Sequence, residues 1–157
     1  MKKIIIISIS IILIVLVSGI FIYQQALKPV KTAEEKAVQI AMKETELTKA
    51  EDFYLYNGQE TYYVVKGKNE KGTNIYVWIP EKEGKIIVRK QSEGVSEKEA
   101  VKKLLEEKNP KEIISVRLGM EKNTPLWEIY YRSEGDLINY YYVDFQTGDW
   151  LKKIENL

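Results

Sequence analysis

Two stretches of this chain are degraded copies of each other. Asn139 to Trp150 (NYYYVDFQTGDW) and Asn74 to Ile86 (NIYVWIPEKEGKI) each contain an alternating strand, a short polar turn with a glycine, and the start of a return strand. A strand-turn-strand used twice in 157 residues leaves room for one small fold made twice. Each repeat unit then has about 60 residues, near the lower limit for a self-sufficient core.

The residues around the copies repeat as well. Thr32 stands as an N-cap, with Glu34 and Glu35 in a first helical turn and Ala37, Val38, Ile40 and Ala41 as an apolar stripe. Four strand-like segments follow: Phe53–Tyr56, Tyr62–Lys66, Asn74–Ile79 and Lys85–Arg89. Asn57-Gly58, the polar stretch Gly67–Gly72 and Glu81–Gly84 divide them, so the strands are expected to pair antiparallel. The pattern then restarts. Ser96 and Glu99 have capping-box spacing, Ala100, Val101, Leu104 and Leu105 make the stripe, and Asn109-Pro110 stops the helix. Strands are expected at Glu112–Leu118, Leu126–Arg132, Leu137–Phe145 and Trp150–Ile154. Gly84 and Gly148 take matching turn positions, as a positive φ would require. The expected fold class is α+β: two tandem units, each a helix laid on an antiparallel four-stranded sheet, at residues 32–91 and 92–157.

Residues 1–23 are a different element. Lys2 and Lys3 precede an apolar run from Ile4 to Tyr23, broken only by Ser8, Ser10, Ser18 and Gly19. About 20 such residues in a helix cross a bilayer core. Lys2 and Lys3 favour a cytoplasmic N-terminus, which puts the rest of the chain outside, and Tyr23 suits the interface. A cleaved signal peptide has a shorter apolar region of about 7–15 residues; an uncleaved single-pass anchor fits the length better. Residues 24–31, with Pro29, read as a stalk.

Composition removes several classes of function. Of 24 Lys and Arg against 23 Asp and Glu, setting Lys2 and Lys3 aside leaves 22 against 23. A near-neutral body offers no electrostatic footprint for nucleic acid. There is no cysteine and no histidine. Disulfides and thiolate nucleophiles are excluded, and the commonest general base and metal ligand is missing. Asp144 and Asp149 flank a turn, but no dense Asp/Asn loop supplies the six to eight oxygens that calcium takes. No cofactor and no small-molecule substrate are expected.

The second copy, with Val143, Asp144, Thr147 and Gly148, resembles the last hairpin of a PepSY-type repeat: a hydrophobic strand, Val-Asp, a Thr-Gly turn and another strand. The first copy departs from it, with Ile79-Pro80 and Glu83-Gly84 at those places. One anchor followed by two such units resembles the YpmB/TseB-like family of Gram-positive bacteria. The resemblance implies a cystatin-like fold in each unit and a protein held on the outer face of the cytoplasmic membrane. It also implies a role in regulating cell-wall elongation through a membrane-bound penicillin-binding protein. PepSY units more broadly imply inhibition or chaperoning of a peptidase. The resemblance supplies no catalytic residue.

What remains for function is aromatic. Strand alternation puts Ile75, Val77 and Ile79 on one face and Tyr76 and Trp78 on the other. It likewise separates Tyr141, Val143 and Phe145 from Tyr140 and Tyr142. On the neighbouring strands Tyr63, Val65, Trp127 and Ile129 take the aliphatic side, and Tyr62 and Tyr130 the opposite one. The aliphatic faces should receive the helices. Two helix-free aromatic rows then stand as candidate partner-binding surfaces: Tyr62, Tyr76 and Trp78, and Tyr130, Tyr140 and Tyr142. The competing reading is structural. Cross-strand aromatics stabilise sheets unaided, and the two bare faces could cover each other.

Overall fold

The computed structural model describes the backbone from residue 2 to residue 157 and the side chains from Ile11 onward. The topological reading of Lys2 and Lys3, and the apolar run before Ile11, concern side chains outside the described residues. Helix α1 spans Lys2–Glu44. From Ile11 it carries a stretch long and apolar enough to cross a membrane. The chain divides into two compact parts, up to Glu35 and from Lys36 to Leu157.

The expected stalk is helical in this structure, because α1 continues through Pro29. Thr32 is therefore an interior residue and caps nothing. A proline inside a helix costs about 3 kcal/mol. Breaking the helix there would instead leave up to eight backbone groups at two new ends in need of partners. The structure keeps one helix.

In the second part the helix-then-four-strands order appears twice. The end of α1 is followed by β1 (Leu47–Asn57), β2 (Thr61–Asn69), β3 (Asn74–Pro80) and β4 (Ile87–Lys90). Helix α2 (Glu97–Glu107) is followed by β5 (Glu112–Glu121), β6 (Thr124–Arg132), β7 (Ile138–Asp144) and β8 (Trp150–Ile154). Each set forms a four-stranded antiparallel meander with its strands in sequence order. The fold is the α+β arrangement that the sequence pattern implies.

Boundaries differ where turn residues mislead. Gly67 is not in a loop: β2 runs on to Asn69, and Gly67 lies where a Cβ would overlap the Lys49 carbonyl of β1. The turn falls at Gly72, with φ +74°, and Asn69 Oδ1 accepts the N–H groups of Lys71 and Thr73. Gly148 has φ +75°, but Gly84 does not adopt positive φ. At Gly84 a Cβ would instead press on the Pro80 ring.

Both helices bury most of the stripe that their spacing indicates. Ala37 and Ala41, helped by Val38, cover Val65, Ile75, Val77 and Ile79 of the first sheet, while Ile40 remains exposed. Ala100 and Leu104, helped by Val101, join Trp127, Ile129, Tyr141 and Val143 of the second, while Leu105 remains exposed. Ser96 caps α2 through a complete capping box: its Oγ accepts the Glu99 N–H, and the Glu99 carboxylate accepts the Ser96 N–H. The Trp127 indole N–H donates to the Val95 carbonyl at 2.9 Å, which fixes the linker against the second sheet.

Candidate functional site

The helix-free faces of the two sheets have opposite fates. In the first, Tyr62, Tyr76 and Trp78 are 5%, 3% and 0% exposed. Their cover is the second repeat. Tyr76 meets Trp127 and Phe145 edge-on with ring centres 6.3 and 5.7 Å apart, and Trp78 meets Phe145 at 5.6 Å. The Trp78 indole N–H donates to the Gly119 carbonyl of β5 at 2.9 Å. Tyr56 of β1 packs where a Gly119 Cβ would stand, and its hydroxyl donates to Glu121 at 3.0 Å. The first row is therefore the core between the repeats and not an open surface. The physical reason is area: a face this apolar gains more from permanent burial than any sheet alone can offer it.

In the second sheet Tyr130 and Tyr140 are half-buried and only Tyr142 is nearly covered. The three rings form a stacked ladder. Tyr130 and Tyr140, directly opposed on β6 and β7, lie 4.9 Å apart and 13° from parallel; Tyr140 and Tyr142 lie 6.5 Å apart at 21°. The structure thus brings Tyr130, Tyr140 and Tyr142 together and places Tyr62, Tyr76 and Trp78 elsewhere.

Register lets the two faces be compared position by position. Across the first sheet Tyr54, Val64, Trp78 and Ile87 oppose one another in a row. The corresponding row of the second sheet is Arg117, Glu128, Tyr142 and Lys152. One row along, the first sheet has Asp52, Lys66, Tyr76 and Arg89, and the second has Ser115, Tyr130, Tyr140 and Ile154. Polarity is inverted between the copies. The apolar row of the first face is charged in the second, and the charged row of the first is apolar in the second.

The charged row is internally neutralised. Arg117 donates from Nε to Glu128 Oε1 at 2.6 Å, and its Nη2 lies 2.6 Å from the same oxygen. The Lys152 ammonium bonds Glu121 at 2.6 Å and sits 4.3 Å above the Tyr142 ring centre. Burial, and then the Glu128 carboxylate beside it, push the Tyr142 hydroxyl well above the usual tyrosine range. Glu121 also accepts the Tyr56 hydroxyl, so one carboxylate ties β1, β5 and β8 together. Arg117, Glu121, Glu128, Lys152 and Ile154 were not singled out from sequence. The signal was present: Val64 and Glu128 occupy one repeat position, and a carboxylate replacing a core valine marks a face with a different neighbour.

Asp144 is a turn residue. Its Oδ1 accepts the N–H groups of Gln146 and Thr147 at 2.7 and 2.8 Å, an Asx turn that aims Phe145 into the core. Among the described residues no cluster of three acidic side chains stands close enough to hold a metal.

Known proteins match both repeats. Residues 36–80 fit the family described as cell wall elongation regulator TseB-like domain, and residues 94–153 fit the peptidase propeptide and YPEB domain. The chain is 38% identical over 143 residues to the probable cell wall elongation regulator TseB of Bacillus subtilis (strain 168), covering 90% of this chain and 89% of that one. The solved structure of the YpmB protein from Bacillus subtilis superposes with a TM-score of 0.72 at 40% identity, over 77% of this chain and 95% of that one. With a fold, a pair of domains and most of its length in common with these proteins, the chain belongs to the TseB-like family.

Proposed function

We propose that this chain is a non-enzymatic, membrane-anchored regulator of cell-wall elongation that acts outside the cytoplasm by binding a membrane-bound synthase of the penicillin-binding protein type. The observation that carries this reading is the 38% identity to a probable cell wall elongation regulator over 90% of the chain, a span that includes both repeats. A sequence without His or Cys agrees with a binding role. Within this reading, residues 1–23 are the anchor, 24–31 the stalk, and 32–91 and 92–157 the two repeats. Lys2 and Lys3 hold the N-terminus in the cytoplasm. Anchoring matters physically, because confinement of both partners to one membrane raises their effective concentration and lets a modest contact hold.

The test is genetic and biochemical together. Cells lacking the chain should show altered elongation, and the tagged full-length protein should co-purify with a penicillin-binding protein from crosslinked membranes. Normal elongation in the deletion strain, with no synthase captured, would sink the proposal. Topology is checked by adding protease to intact cells, which should cleave the repeats.

A second reading rests on the match of residues 94–153 to a domain whose description names a peptidase propeptide. In it, the chain inhibits or chaperones an envelope peptidase. Stoichiometric loss of peptidase activity on adding the detergent-solubilised chain would favour it, and unchanged activity would remove it.

A further inference from the structure

The inversion of polarity between the two faces bears on what touches the second one. Where the first repeat has Tyr54, Val64 and Ile87, with Val64 fully buried and the other two packed partly buried against the core, the second has Arg117, Glu128 and Lys152. A constitutive interface favours apolar residues at such positions, whereas a face that must also stand in water favours charges held in pairs. Beside this row lies an apolar strip, Tyr130, Tyr140 and Ile154. On its other side Arg132 opposes Ile138.

The charges of this face are unequally placed. The side chains of Arg117 and Lys152 are 36% and 38% exposed, whereas their partners Glu128 and Glu121 are only 4% and 13% exposed. Arg132 is 37% exposed and pairs with Glu112 at the rim. On the Arg117–Lys152 side of the strip the cations are therefore the more exposed partners, whereas on the Arg132 side Glu112, 56% exposed, is the more open one. A ligand approaching the face meets tyrosines bordered on one side by positive groups. Arg117 places Nε and Nη2 against one oxygen of Glu128.

We propose that the helix-free face of the second sheet is a reversible docking surface for an acidic protein segment. That segment lays apolar groups along Tyr130, Tyr140 and Ile154 and sets carboxylates against Arg117 and Lys152. The proposal deepens the function above by naming the surface and the chemistry of the partner, and it rests on the chain's acting by binding another protein. Complementary charge of this kind sets register and encounter rate more than raw affinity, which suits a contact that must be made and released.

The experiment uses the full-length chain in the cells that express it, with a photoreactive residue at Tyr140 or Ile154 and a control at the exposed Leu105 of α2. Crosslinked peptides are sequenced. The expected result is an Asp/Glu-bearing peptide of another membrane protein, captured from Tyr140 and Ile154 and not from Leu105. Capture should weaken as salt is raised through the range where exposed charges are screened. In the chain carrying the photoreactive residue, Arg117→Gln with Glu128→Gln removes the pair without leaving a buried charge and should reduce capture roughly tenfold. The single change Tyr130→Ser, which touches no charge, should reduce it too. Crosslinks from this face to a second copy of the chain, to lipid alone, or to nothing would each overturn the proposal, and so would capture indifferent to salt. Failures remain separable. An acidic partner that is no synthase leaves the face standing and removes the synthase, while a synthase captured only from Leu105 does the reverse.

Discussion

Gly119 and Tyr56 show how much of the fold depends on single atoms. The missing Cβ of Gly119 is the space that the Tyr56 ring fills, and the ring is pinned by its hydroxyl on Glu121. Gly119→Ala should therefore destabilise the protein by about 1–3 kcal/mol, the usual range for overpacking, as read by denaturant unfolding; an unchanged midpoint would show that the ring can move. The buried tyrosines make a second prediction. The hydroxyls of Tyr54, Tyr56, Tyr141 and Tyr142 are held above the usual tyrosine range, in each case by burial first and a neighbouring carboxylate second. Neutral phenol is favoured in the folded state, so this stability is complete below the unfolded value near pH 10 and is lost as pH rises beyond it. Phenolate absorbance of these four should appear only as the protein unfolds in alkali. Titration of the full complement of tyrosines near pH 10 with native circular dichroism would contradict it.

At the scale of elements, the parts that were legible in the sequence are those with local causes. The Ser96 capping box, the α2 stripe and the β8 boundaries follow from spacing alone. Ser96→Ala should accordingly cost about 1 kcal/mol, a typical N-cap loss, measurable as a lowered unfolding midpoint. The errors had non-local causes. Thr32 has the residues of a cap, but the helix before it does not end at Pro29. Gly67 reads as a turn because the close approach of β1 that requires it comes from a different strand. Alternation also sorted the aromatics correctly onto helix and helix-free faces, since that depends only on a period of two. Which face would be covered was not legible. Tyr62, Tyr76 and Trp78 resemble Tyr130, Tyr140 and Tyr142 in kind, and burial of the first row depends on Gly119, Trp127 and Phe145 from the other repeat.

At the scale of the whole molecule, residues 36–157 act as one body because a single aromatic core runs from β1 to β7. The contact that makes it is unsymmetrical: the bare face of the first sheet meets Trp127 and Phe145 from the helix side of the second, while only the β5 edge of the second bare face, at Gly119 and Glu121, takes part through Tyr56. Contacts of this kind do not close on themselves and, repeated, produce open stacks and fibres. Giving the second face the residues of the first, through Arg117→Tyr, Glu128→Val and Lys152→Ile, should produce assemblies that grow with concentration in sedimentation experiments; a monodisperse variant would show that charge is not the barrier. The three charged residues are then a terminator. On that outcome, a fold sticky enough to pair with its own duplicate is copied once within a chain without seeding a polymer because its second copy ends in charge.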